Sequence, residues 1–161
     1  ILNNKLKSIK LIRKAISDKN GKATFYSYGI MKGCPGNSLE KSQANFKQDL
    51  VKFDVELVSL SKKNYEQIDF LKMDIEGTEG AVFKNFKKTG FLEIVQNINL
   101  EYHYDRKIKN NSLSSIISVI EENNFDYILN QNSLVTIYTT RKQFFDLDEK
   151  YVLVIDCLKK N

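Results

Sequence analysis

The sequence predicts an α/β fold in one domain, on three observations. Segments with strand-like alternation and segments with helix-like spacing of apolar residues follow one another along the chain. The 161 residues are 42% hydrophobic and 28% charged, ordinary values for a globular domain with a core. Neither an internal repeat nor a linker-like tract divides the chain, and with Gly 7 and Pro 1 it is neither collagen-like nor low in complexity.

The elements follow in order. Residues 9–16 read as a first strand, with Ile9, Leu11, Ala15 and Ile16 apolar. Asp18-Lys19-Asn20-Gly21 reads as a tight turn, because Asn-Gly favours positive φ. Residues 23–28 form a second strand, paired antiparallel with its neighbour, and residues 29–43 form a loop that carries Gly33-Cys34-Pro35-Gly36. Residues 55–60 are a short strand around Val55, Leu57 and Val58. Residues 68–73 are a mostly apolar strand ending at Asp74-Ile75-Glu76-Gly77. Thr78 is then an N-cap, Glu79 suits the positive end of the helix dipole, and Val82, Phe83 and Phe86 give the helix its buried face. Lys87 and Lys88 sit in its last turn and Gly90 stops it. The plan repeats. Residues 94–102 form a strand running into His103-Tyr104-Asp105, and Ser112 caps a helix with Leu113, Ile116, Ile117 and Ile120 on one face. Residues 125–129, 134–140 and 151–158 are three further strands. The expected assembly is a mostly parallel sheet with crossover helices and an antiparallel C-terminal end.

Composition narrows the function. With Cys 2 and His 1, neither a disulfide scaffold nor an all-Cys or His-rich metal site is available, and no metal ligands are assigned. Cys157 lies in an apolar strand, as a small buried residue would. No apolar run approaches the roughly 20 residues that span a bilayer. The net charge of +5 comes mainly from scattered lysines, the arginines being Arg13, Arg106 and Arg141, which argues against nucleic acid as a partner.

Ligands of open α/β sheets bind outside the carboxyl ends of the strands. Two consecutive strands end in polar clusters: Asp74, Glu76 and Glu79 after one, Glu101, His103 and Asp105 after the next. Alternation puts Asp74 with Glu76 and Glu101 with His103, so an acidic mouth with a single imidazole results. Glu79 reads as a helix-dipole residue. Two carboxylates at such an edge are costly without a partner. The chain has no G-x-x-x-x-G-K-[ST] and no G-x-G-x-x-G, so a cation, a metal or a hydroxyl needing a base fits the mouth better than a phosphate.

The run Ile68-Asp69-Phe70-Leu71-Lys72-Met73-Asp74-Ile75-Glu76-Gly77-Thr78-Glu79 resembles the "IDxLKxDxEGxE" signature of FkbM-type methyltransferases, which depend on S-adenosylmethionine. Residues 14–26 resemble the family's "AvSdkdGxaxfy" hairpin, Val58-Ser59-Leu60 the short strand before the signature, and residues 95–103 the next strand with its "xLExH" ending. The resemblance implies a Rossmann-like class I methyltransferase sheet of seven strands, with the cofactor across the strand ends. It implies that Asp74 lies near the methionine part of the cofactor, where a carboxylate suits ammonium and sulfonium charge. It places Ala15 and Ile16 beside the adenine, with Ser17 and Asp18 as polar contacts. Glu101 and His103 would face the acceptor, a hydroxyl of a sugar, glycan or small metabolite. His103 would be the base, oriented by Glu101 or Asp105, and Glu76 completes the catalytic set.

The family's first two strands, with a "DxGxNxG" loop, should precede residue 9, and this sequence, which starts at Ile1, does not carry them. The expectation is therefore an incomplete sheet, residues 1–161 being the C-terminal two-thirds of one methyltransferase domain. An N-terminal segment or a partner chain would complete it. Two other functions stay open. One is a non-catalytic methyltransferase-like subunit serving as an interaction module. The other is a magnesium phosphatase, since Asp74-Ile75-Glu76-Gly77-Thr78 also resembles the "DxDGT" motif of the haloacid-dehalogenase type.

Overall fold

The computed structural model describes residues 8–28, 37–41, 50–105, 107–131 and 150–160. Their strands form two sheets, ordered β1-β3-β2 and β4-β5-β7-β6. The first comprises β1 (Ala15–Ile16), β2 (Gly21–Tyr28) and β3 (Leu50–Val58). The second comprises β4 (Leu71–Asp74), β5 (Asn97–Asp105), β6 (Phe125–Gln131) and β7 (Lys150–Lys159). Helix α1 (Glu79–Thr89) connects β4 to β5, and α2 (Leu113–Glu122) connects β5 to β6.

The parallel pairs are β1 with β3 and β4 with β5, whereas β2 with β3, β5 with β7 and β6 with β7 are antiparallel. The expected antiparallel C-terminal end is present, but the sheets are mixed rather than mostly parallel. Among the described residues, the β4–α1–β5 passage is the parallel crossover through a helix.

The first strand is far shorter than residues 9–16. A strand needs a ladder partner, and β3 offers one only where Leu57 faces Ala15 and Val58 faces Ile16. Ile9, Leu11 and Ile12 are consequently exposed. Nor do β1 and β2 pair as a hairpin: the chain turns at residues 18–20, and β3 lies between them. The positive φ of that turn falls on Gly21, at 144°, and Asn20 contributes its side chain, accepting from the Ser59 N–H at 3.0 Å. β3 begins five residues earlier than expected because β2 holds it in register from Tyr28↔Leu50 to Gly21↔Leu57. The expected start of the strand at residue 94 is a 3-10 turn, Phe91–Ile94. The expected strand over residues 134–140, Cys34 and most of the loop over residues 29–43 lie outside the described residues.

The helices follow the sequence pattern closely. In α1, Val82, Phe83 and Phe86 are buried, Lys87 and Lys88 occupy the last turn, and Gly90 ends the helix in the left-handed region at φ 66°. In α2, Ile116, Val119 and Ile120 are buried, with Leu113 and Ile117 packed partly beneath. Thr78 and Ser112 hold the N-cap positions without a side-chain cap bond. The core lies between these helices and one face of the four-stranded sheet: Met73, Ile98, Leu100, Tyr102 and Ile155 meet Phe83, Phe86, Ile116 and Ile120. Phe86 stacks on Phe91 with centroids 4.5 Å apart. Burying each such large side chain contributes about 1.5–3 kcal/mol, so this packing fixes where β4 and β5 end.

Candidate active site

Asp74 is register-paired with Glu101 across the parallel strands β4 and β5, so both strands run out at the same edge. Beyond Asp74 the chain folds back through Glu76 at φ 55° and Gly77 at φ 102°. A left-handed Glu is strained relative to glycine. It is held by Ser38, whose Oγ donates to the Glu76 carbonyl at 2.5 Å and accepts from the Glu40 N–H at 2.9 Å. This reversal brings the first residue of α1 underneath the strand ends.

That residue, Glu79, is 0% exposed. Its Oε1 accepts from the Gly77 N–H at 2.9 Å and lies 2.9 Å from His103 Nδ1, and its Oε2 accepts from Asn111 Nδ2 at 2.8 Å. Asn111 is itself a clamp. Its Nδ2 also donates to the His103 carbonyl at 2.7 Å, its Oδ1 accepts from the Gly80 N–H at 2.7 Å, and its carbonyl accepts from the Tyr102 hydroxyl at 2.7 Å. Gly80 has no room for a side chain, since a Cβ there would overlap the Asn110 carbonyl and come within 2.9 Å of Asn111 Cα. Because a carboxylate supplies acceptors only, Nδ1 carries the ring hydrogen and Nε2 faces outward.

His103 Nε2 lies 3.3 Å from Glu76 Oε2 and 3.7 Å from Asp74 Oδ1. Side-chain exposure rises from 9% at His103 through 22% at Glu76 to 42% at Asp74, so the cluster opens on the Asp74 side. Burial of the ring works against the imidazolium. The Glu79 hydrogen bond and the charges of Glu76, Glu79 and Asp74 outweigh it, and the pKa of His103 is raised. Burial pushes the Glu76 carboxyl up; His103 pulls it back, while Asp74, Glu79 and Glu101 add to the rise.

The sequence therefore placed Asp74, Glu76 and His103 correctly relative to one another, but not the residue that orients the imidazole. Glu101 is taken by Lys72, with Nζ 2.5 Å from its Oε1. Asp105 is buried and accepts from the Lys107 N–H at 2.8 Å. The orienting carboxylate is Glu79, read from the sequence only as a dipole residue. Asn111 and Ser38 were not anticipated at all. The signal for Asn111 was weak: an Asn-Asn-Ser run before a helix reads first as a turn and cap.

On the other side, a cavity of about 290 Å³ is lined by Ser17, Asp18, Glu40, Gly77, Thr78 and Ile108, among others. Thr78 Oγ1, which is buried, has no hydrogen-bond partner among the described residues. Ser17 is buried, with its N–H on the Val58 carbonyl at 2.9 Å and its Oγ donating to Asp18 Oδ1 at 3.1 Å. Ser17 and Asp18 thus come to the turn that follows Asp74. Ala15 and Ile16 are half-buried in β1 and do not line this cavity. A shallower hollow of about 1010 Å³ between α1 and α2, edged by Lys84, Lys87, Lys88 and Lys109, includes none of the Asp74–Glu76–His103 cluster.

Adjacent parallel strands here deliver carboxylates and an imidazole to their carboxyl-end edge, the place where open α/β sheets bind ligands. Comparison with family models is specific: the Methyltransferase FkbM domain matches residues 2–127. The chain belongs to that family, and the activity its membership supports is that of a methyltransferase. No curated protein and no solved structure matches the chain.

Proposed function

We propose that this protein is an S-adenosylmethionine-dependent O-methyltransferase with a Rossmann-like class I sheet, acting on a hydroxyl of a sugar, glycan or small metabolite. The observation that carries the reading is the Asp74–Glu76–His103 cluster at the shared end of β4 and β5.

The residues at this edge fit such a cofactor. Asp74 and Glu76 supply negative charge where a sulfonium and an ammonium need it. Thr78 Oγ1 is a buried hydroxyl without a partner among the described residues, and Thr78 lines a cavity with Ser17 and Asp18. The cavity of about 290 Å³ falls just short of the usual range of ligand pockets, about 300 Å³ upward, so the cofactor would extend beyond it toward Asp74. In this assignment Asp74, Ser17, Asp18 and Thr78 hold the cofactor, and Ala15 and Ile16 support that wall from β1. S-adenosylmethionine, when bound, supplies an electrophilic methyl group. The chain's own work is alignment and proton handling. His103 Nε2 faces the mouth and takes the acceptor's proton, Glu79 fixes its tautomer, and Glu76 and Glu101 set the local field. A raised pKa makes the imidazole a stronger base once it is neutral.

We also take residues 1–161 as part of one domain whose sheet gains strands from an N-terminal segment or a partner chain. Among the described residues β1 and β4 each have one edge without a strand, which supports that reading. Family membership favours methyl transfer over the phosphatase alternative.

Calorimetric titration of the protein with S-adenosylmethionine tests the proposal. Saturable binding is expected, and Asp74→Ala should weaken it roughly tenfold, about 1.4 kcal/mol. No binding at millimolar cofactor overturns the assignment, and unchanged affinity in the variant removes Asp74 from the cofactor site.

A further inference from the structure

The Nε2 atom of His103 has an unusual setting. The side chain is nine-tenths buried, at 9% exposure, with Nδ1 engaged by Glu79 and Nε2 left to charge contacts. Nε2 points between two carboxylate oxygens, Glu76 Oε2 at 3.3 Å and Asp74 Oδ1 at 3.7 Å. With Nδ1 carrying the ring hydrogen toward Glu79, the outward nitrogen presents a lone pair to two negative groups. Such a trio is stabilised by a cation shared among its three groups, whether a proton or a metal ion.

We propose that Asp74, Glu76 and His103 form a binding site for one divalent transition-metal cation of the zinc or manganese class. The spacing supports this. Ligand atoms held about 2.0–2.2 Å from a zinc ion at tetrahedral angles stand about 3.4 Å from one another. The three ligand atoms here already lie within 4.8 Å of one another, two of the contacts being 3.3 and 3.7 Å. Asp74, the ligand that must close in furthest, is also the most exposed and the freest to move.

The surroundings match as well. A metal-bound imidazole ordinarily donates its other N–H to a carboxylate, which fixes ring orientation and basicity. Glu79 does this here, and it is held in turn by the Gly77 N–H and by Asn111. One nitrogen and two carboxylate oxygens suit zinc or manganese better than a softer metal. Three protein ligands leave a coordination position open toward solvent on the Asp74 side, as in catalytic rather than structural sites.

This inference deepens the reading of the same site and rests on it only for the site's purpose. The cation would occupy the place a proton takes on Nε2, so in the loaded site His103 is a ligand rather than the base, and the metal would lower the pKa of a coordinated acceptor hydroxyl, whose proton leaves to solvent on the open Asp74 side. Asp74 Oδ1 is the oxygen that faces His103, which leaves Oδ2 for the cofactor's positive end.

The test uses chelator-stripped protein without cofactor, titrated with Zn²⁺ and with Mn²⁺. Saturable one-to-one binding is expected, weakened roughly tenfold or more by Asp74→Asn and by Glu76→Gln and unchanged by Glu56→Gln on the distant β3. The chain has a single histidine, so one imidazole reports in ¹⁵N spectra: Zn²⁺ should shift Nε2 and leave Nδ1 protonated. The exposed Asp74→Asn variant keeps the test valid if a His103 variant does not fold. Absence of saturable binding at millimolar metal, or binding that leaves the imidazole resonances unmoved, overturns the proposal and leaves a simple ion pair. Either result is independent of the cofactor titration, which is run in chelator.

Discussion

At the residue scale, the site depends on a carboxylate that helix-start rules treat as decoration. Glu79 follows a helix N-cap, where an acidic residue ordinarily contributes about 0.3–1 kcal/mol through the dipole. Here it satisfies the Gly77 N–H, Asn111 Nδ2 and His103 Nδ1 in a buried setting. Removing one member of such a network leaves buried donors with nothing to replace the lost acceptor. Glu79→Ala should therefore lower the unfolding free energy by about 3–5 kcal/mol, read as a drop in the urea midpoint. A change below about 1 kcal/mol, the worth of a dipole charge alone, would mean the network is not formed. The difference explains what could be read in advance. Asp74, Glu76 and His103 share an edge because strand alternation and chain order require it. Glu79 turns inward because Glu76 and Gly77 take positive φ, and no local preference marks a non-glycine residue for that conformation.

Among the elements, α1 was legible almost to the residue and α2 in its start and apolar face, because an apolar stripe at helical spacing, a cap residue and, for α1, a glycine stop are local signals. The strands were legible in place but not in length or partner. β1 shrinks to Ala15–Ile16 because its extent depends on what β3 offers, and β3 extends back to Leu50 because β2 pairs with it that far. β7 was recognised by its apolar run, and the structure adds a chemical consequence. Cys157 faces Ile98 on β5 and Tyr127 on β6, and it is a free thiol. Burial, with help from the adjacent Asp156, pushes its pKa up to about 12. The thiolate is the reactive form, so near pH 8 only about one part in ten thousand is available at that pKa. Alkylation of the native protein followed by peptide mapping should leave Cys157 unmodified, and labelling should appear only when the protein is unfolded. Rapid labelling of Cys157 in native protein would show that β7 opens readily.

For the molecule as a whole, the two sheets carry unequal shares of the core, and their stabilities should differ accordingly. The four-stranded sheet and its helices contain nearly every fully buried side chain, including Phe83, Phe86, Leu100, Tyr102, Ile120 and Ile155. In the three-stranded sheet, Leu57 is the one buried apolar residue among those described, while Val51 and Phe53 are more than two-fifths exposed. Among the described residues, half-buried Ile16 and a few polar bonds tie this sheet to the rest. Asn85 Nδ2 donates to the Asp18 carbonyl at 2.9 Å, and the Ser59 hydroxyl donates to Asn85 Oδ1 at 2.7 Å. Each such bond adds about 0.5–1.5 kcal/mol net, far less than a set of buried aromatics. Opening β2 and β3 thus exposes little apolar surface, whereas opening β5 exposes the core. Native-state amide exchange should rank accordingly: slowest in β5, β7 and α1, at the free energy of global unfolding, and faster in β2 and β3 through local opening. The ordering bears on function, since Ser17 and Asp18 reach the cavity from the weaker sheet while Asp74, Glu76 and His103 stand on the stronger one. A ligand that bridges the two should slow exchange in β2 and β3 and change β5 little. Equal protection of both sheets before any ligand is added would show that the molecule opens as one unit, with the cavity wall as rigid as the strand ends that carry Asp74, Glu76 and His103.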